Sequence, residues 1–214
     1  MKAGPRPGDG GRSPSAAVAR ARELELQVRT VAERLLTPEE RAVAIVDAAL
    51  DALGASVGIA VRRTHDGTAI ELVGSAHLPD DVGAAFHHVP LDAAMPMAEV
   101  VRTGRASFCE TREQLLALYP SMREVAEQLD LHAVAAVPTR YLGELQGAVA
   151  FGFTAPRAFS EGEKATLRAL GARYARALRE SRRYFAEHDA RTREAAARGG
   201  RSAYRRRSGC TRPG

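Results

Sequence analysis

Read as a succession of apolar and polar positions, the chain divides into segments of two periods. Between residues 15 and 36, Ala17, Ala21, Leu24, Val28, Val31 and Leu35 recur every three or four positions, a heptad seam nearly three heptads long. Charged residues fill the other faces. Such a stripe either packs on its own domain or pairs with a second copy in a coiled coil, and both readings are open. Thr37-Pro38-Glu39-Glu40 then starts a second helix. Thr37 caps it, Pro38 suits the first turn, and Glu40 completes a capping box. Val43, Val46, Leu50 and Leu53 form its apolar side, and Gly54 stops it.

From Ala55 the period changes to two. Val57, Ile59 and Val61 alternate, His65-Asp66-Gly67 turns, and Ile70 and Leu72 alternate again, which predicts a β-hairpin. Residues 77–92 have no clear period and read as a loop with a short helix. A helix is predicted near Pro96–Thr103, ending at Gly104, and a short strand over Ala106–Cys109. Thr111–Leu129 is helical with a break near Tyr119-Pro120. Leu131–Pro138 and Leu145–Phe153 are apolar strands joined by a turn at 139–144. Ser160, with Glu163 three residues on, caps a long helix lined by Leu167, Leu170, Tyr174, Leu178 and Phe185. Strands that come as hairpins, not as alternating strand–helix units, predict an α+β fold with an antiparallel sheet.

Composition adds limits. At 214 residues there is room for one ordinary domain with appendages, or two very small ones. The net charge of +5 is unevenly spread. Residues 187–214 hold eight Arg against Glu187, Asp189 and Glu194, so residues 1–186 are electrically balanced. A neutral body does not point to nucleic acid; only the tail, with Arg205-Arg206-Arg207, offers a basic patch. No apolar run reaches the ~20 residues of a membrane span. The N-terminus MKAGPRPGDGGRSP lacks the apolar stretch of a secretory signal, and Cys109 and Cys210 cannot make a disulfide framework, so the expected address is the cytoplasm. The division expected is 1–14 disordered, 15–36 a helix, 37–186 the folded domain, and 187–214 a basic, disordered tail.

Familiar chemical motifs are missing: no glycine-rich phosphate loop, no Gly-x-Ser-x-Gly, no His-Glu-x-x-His, no Cys-x-x-Cys. His87 and His88 are adjacent, so on a strand they would face opposite ways, and no third metal ligand stands near them. Cys109 reads either as a small buried hydrophobe or as a redox-active thiol.

Several phrases together carry a resemblance. They are Ala52-Leu53-Gly54-Ala55, Val100-Val101-Arg102-Thr103-Gly104-Arg105, Ala136-Val137-Pro138, Gly147-Ala148-Val149-Ala150-Phe151 and Pro156-Arg157-Ala158-Phe159-Ser160. In order and spacing, residues 38–185 resemble a GAF domain, the small-molecule sensing module of bacterial signalling proteins. The resemblance implies a central antiparallel sheet with helices on both faces and long N- and C-terminal helices. It puts the first and last helices on one side of the sheet and the segment 77–129 on the other, over a ligand pocket. His77, Phe86, His88, Met95, Met97, Val101, Phe108, Tyr119 and Met122 fall in that segment, either lining a cavity or packing it shut. The Asn-Lys-Phe-Asp-Glu run of cyclic-nucleotide-binding members is missing, and so are the extra cysteines of the sulfoxide reductases and the Cys-His pair of bilin-binding members. The resemblance names no cofactor. It implies a non-catalytic sensor acting on a downstream signalling protein, free-standing or cut from a histidine kinase or serine phosphatase. The alternatives are a redox enzyme using Cys109 and a structural dimerisation module. A homodimer is expected through a bundle of Leu24, Val28, Val31 and Leu35 with Leu167, Leu170, Tyr174 and Leu178.

Overall fold

A six-stranded antiparallel sheet organises the computed structural model, with strand order β3-β2-β1-β6-β5-β4. Described are residues 37–207, with side chains as far as Tyr184, and before them residues 19, 22, 23, 25–27, 29 and 30. In chain order the elements are α1 (Pro38–Leu53), β1 (Val57–Arg63), β2 (Ala69–Ala76), α2 (Asp80–Ala84), β3 (Val89–Pro90), α3 (Pro96–Thr103) and β4 (Ser107–Cys109). Then follow α4 (Arg112–Leu118), a 3-10 turn (Pro120–Met122), α5 (Arg123–Gln128), β5 (Ala133–Tyr141), β6 (Glu144–Phe153) and α6 (Glu161–Arg207). No helix among the described residues is long and apolar enough to cross a membrane.

Local chemistry sets the helix ends. At the start of α1 the Glu40 amide donates to Thr37 Oγ1 (3.2 Å) and the Thr37 amide donates to Glu40 Oε2 (2.9 Å), a reciprocal capping box. Ser160 and Glu163 repeat it at α6, with the Glu163 amide 3.3 Å from Ser160 Oγ and the Ser160 amide 3.1 Å from Glu163 Oε2. Gly54 and Gly104, with φ of 63° and 67°, close α1 and α3 in the left-handed conformation that glycine adopts freely.

The strands are buried on both faces, so they read as Ala- and Val-rich runs. On β5, Ala133, Ala135 and Val137 face α1 and α6, while Val134 and Ala136 face the other way. Small side chains let the helices come close. At Gly58 of β1 an added Cβ would lie 2.5 Å from Val46 of α1, so the helix rests directly on the strand backbone.

Some expectations need correcting. The apolar face of α1 is Ala42, Ile45, Val46, Ala49 and Leu50, while Val43 is 40% exposed. The β5–β6 strands run further than expected and meet at Leu142-Gly143, because both residues take positive φ (50° and 86°) and make a tight turn. Residues 77–92 contribute an edge strand, β3, paired to β2. Most telling, Leu167, Leu170, Tyr174 and Leu178 are each 8% exposed or less and pack against their own sheet. That stripe is buried inside the subunit. The other half of the expected seam, Leu24, Val28, Val31 and Leu35, lies outside the described residues, as do residues 1–14. The described residues between 19 and 30 are helical, and Glu25 there accepts a 2.7 Å bond from Arg173 of α6 in the same chain. The helix α6 passes the expected boundary at 186.

Candidate functional site

On the sheet face opposite α1 and α6, the segment between β2 and β5 folds into a cover. Under it lies a pocket whose empty space, open solvent at its mouth included, is about 420 Å³. Its floor is the alternation of the strands: Val57 and Ile59 of β1, Val134 of β5, and Ala150 and Gly152 of β6. Leu78 and Phe86, on either side of α2, make one wall. Pro96 and Met97 at the start of α3, Met122 of the 3-10 turn, and Val125 and Leu129 of α5 make the others. Among the described residues no charged side chain lines it.

The polar groups nearby are committed to holding the cover. Tyr119 donates to Glu99 Oε2 at 2.7 Å and shares a 2.9 Å hydrogen bond with Ser107 Oγ. Burial pushes the Tyr119 phenol up to about 12, so it stays a neutral donor to that carboxylate. Arg112 of α4 reaches back to the Leu131 carbonyl (2.6 Å) and to Asp130 (2.7 Å), which ties the cover to the start of β5. Gln128 of α5 donates to Asp81 of α2, joining the two walls that carry Leu129 and Phe86. These bonds fix the wall positions without putting a polar atom on the cavity surface.

Of the nine candidate residues, Phe86, Met97 and Met122 line the pocket. Val101 is buried in the α3 packing, and Met95 is half-buried beside it. Tyr119 lies behind the wall in the chain just described. Phe108 turns to the other face, where its ring stands 5.4 Å from that of Phe159. His88 is exposed. His77, at a positive φ of 57°, is exposed too and lies 3.5 Å from Asp47 of α1. The floor residues Val57, Ile59, Val134 and Ala150 were missing from the candidates. Their signal was the strand alternation itself, which puts Val57 and Ile59 on one face.

Cys109 is fully buried in the α4–α5 packing. Burial, only partly offset by a bond from Ser107, pushes its thiol up to about 11, so a thiolate nucleophile is suppressed. Cys210 lies outside the described side chains. Among the described residues no group of three or more His, Cys, Asp or Glu gathers to hold a metal.

Residues 36–179 match the family described as GAF domain. Among solved structures, the GAF domain of a phosphoenolpyruvate-protein phosphotransferase from Coxiella burnetii superposes with a TM-score of 0.65 at 16% identity, over 78% of this chain and 98% of that one. The free methionine-R-sulfoxide reductase of Neisseria meningitidis, solved with its substrate, gives 0.61 at 12% identity, over 78% and 93%. A methyl-accepting chemotaxis protein gives 0.57 at 14% identity, over 72% and 95%. At such identities the likeness is one of fold. Among curated proteins, none matches.

Proposed function

The chain belongs to the GAF domain family, and from that premise we propose that it is a non-catalytic sensory module that binds an apolar small molecule on the covered face of its sheet. The pocket floored by β1, β5 and β6 carries this reading: it lies under the cover and is lined by apolar side chains. Burying apolar ligand surface there supplies the driving force at roughly 25 cal/mol per Å². The two methionines in its wall adapt their shape at low cost.

Transmission follows from thinness. Gly58 borders the pocket on one side and touches Val46 of α1 on the other. A ligand seated on β1 is therefore one strand away from the helical face. A tenfold preference for one helix arrangement shifts that equilibrium by about 1.4 kcal/mol. The output runs to a downstream signalling protein through the terminal helices, in a homodimer that uses their outer faces, since the inner face of α6 is occupied.

A redox role for Cys109 is not favoured: its thiol is enclosed and its pKa raised. The test uses a neutral apolar fluorophore, N-phenyl-1-naphthylamine. Wild-type protein should enhance its emission and, when saturated, show slower hydrogen exchange in α1. Ala150→Phe fills the pocket from its floor and should abolish both effects. Equal enhancement by that variant would overturn the site; enhancement without slower exchange would overturn the transmission.

A further inference from the structure

The helical face of the sheet holds a second cleft, between the middle of α6 and strands β1, β2, β5 and β6, whose empty space is about 530 Å³ with open solvent at its mouth included. Its chemistry is the reverse of the apolar pocket. Arg62, Arg63, Arg179 and Arg182 line it, and among the described residues no carboxylate does. Arg62 is engaged by Glu71 at 2.6 Å, and Arg63 bonds the Gly67 carbonyl. Arg179 and Arg182 form no ion pair among the described residues; Arg179 lies 5.9 Å over the ring of Tyr141.

Between these charges sits Tyr174. It is 2% exposed, and its hydroxyl is buried with no hydrogen-bond partner among the described residues. A buried hydroxyl left unpaired is costly, and native structures rarely leave one without a ligand or water to meet it. Burial raises the phenol's pKa, against the pull of Arg182, so at neutral pH it remains a donor. Thr139 and Gln146 complete the lining from the strand side.

We propose that this cleft is an effector site for the phosphate group of a small anionic metabolite, held by the Tyr174 hydroxyl and the guanidinium groups of Arg179 and Arg182. Donors on α6 facing polar groups on β5 and β6 suit a tetrahedral oxyanion, which offers acceptors in several directions at once. The bound phosphate would bridge α6 to the strands beneath it. It would thereby set the position of the helix that carries the chain beyond the domain. This site stands on the opposite face from the apolar pocket and does not depend on it.

Calorimetric titration of the full chain with inorganic phosphate and with glycerol 3-phosphate, at ionic strength held by chloride, tests the proposal. Binding is expected for at least one of them. Tyr174→Phe should weaken it at least fivefold and Arg182→Gln at least tenfold. Arg168→Gln, on α6 outside the cleft, and Ala150→Phe should leave it unchanged. A tighter monoester identifies a phosphorylated metabolite, and equal affinities identify phosphate itself; both uphold the site. Absence of binding by either anion, unaltered binding by Arg182→Gln, or an equal loss in Arg168→Gln overturns it. Arg182 is only half-buried, so that variant is decisive even if Tyr174→Phe fails to fold.

Discussion

Single residues separate the readings of this molecule most sharply. Raising the Cys109 thiol from 9.0 to about 11 lowers its thiolate population at neutral pH about a hundredfold. In a Cys210→Ser background, native protein should therefore react with iodoacetamide at least about a hundredfold more slowly than unfolded protein. Comparable rates would restore a reactive thiol. Glu163 makes a second case. Burial works to raise its carboxyl, but the bonds from Ser160 and from Arg157 outweigh it and hold the group below its ordinary 4.5. A depressed folded-state pKa gives stability that is present above 4.5 and lost as pH falls through the lower, folded value. Glu163→Gln should thus be less stable than wild type at neutral pH, with the two stability curves converging in acid. Curves that stay parallel from neutral pH into acid would show that the carboxylate's charge contributes nothing.

At the scale of elements, what the sequence disclosed depended on how local the cause was. Both capping boxes and the glycine stops involve residues three or four apart, so Thr37, Ser160, Gly54 and Gly104 could be read directly. The paired strands announced themselves by alternation at Val57, Ile59 and Val61. The cover between β2 and β5 did not, because its short helices bury residues in an order set by the sheet beneath. Position within that segment was consequently a weak guide to the pocket: His77 and His88 lie in it but face outward, while the floor comes from strands on either side. The stripe on α6 carries a related ambiguity. A seam at heptad spacing looks the same whether it meets a sheet or a second helix, and here the small residues of β5 accept it. Leu26 (56% exposed) and Tyr184 (49%) stand outward, with Val43 of α1. A homodimer through these outer faces should scatter light as a dimer at micromolar concentration, and Leu26→Glu should shift it toward monomer. A monomeric wild type would contradict that arrangement.

For the whole molecule, the sheet works as a partition. One face is closed by α1 and α6, which lead out of the domain; the other is roofed by short elements pinned through Arg112, Tyr119 and Gln128. Arg157 joins the ends of the two long helices. It donates to the Leu53 carbonyl and to Glu163, and its guanidinium lies 4.5 Å over the Phe153 ring. In the proposed function, a change on the roofed face would reach both helices through the strands, the core they share and this junction. The roofed pocket is proposed to take an apolar ligand, and Met97 and Met122 in its wall report on it directly. With methyl-labelled methionine and added N-phenyl-1-naphthylamine, the Met97 and Met122 resonances should shift together and saturate in the wild type and stay fixed in Ala150→Phe. No shift at Met97 and Met122, or the same shift in Ala150→Phe, would show that the pocket does not take the apolar ligand.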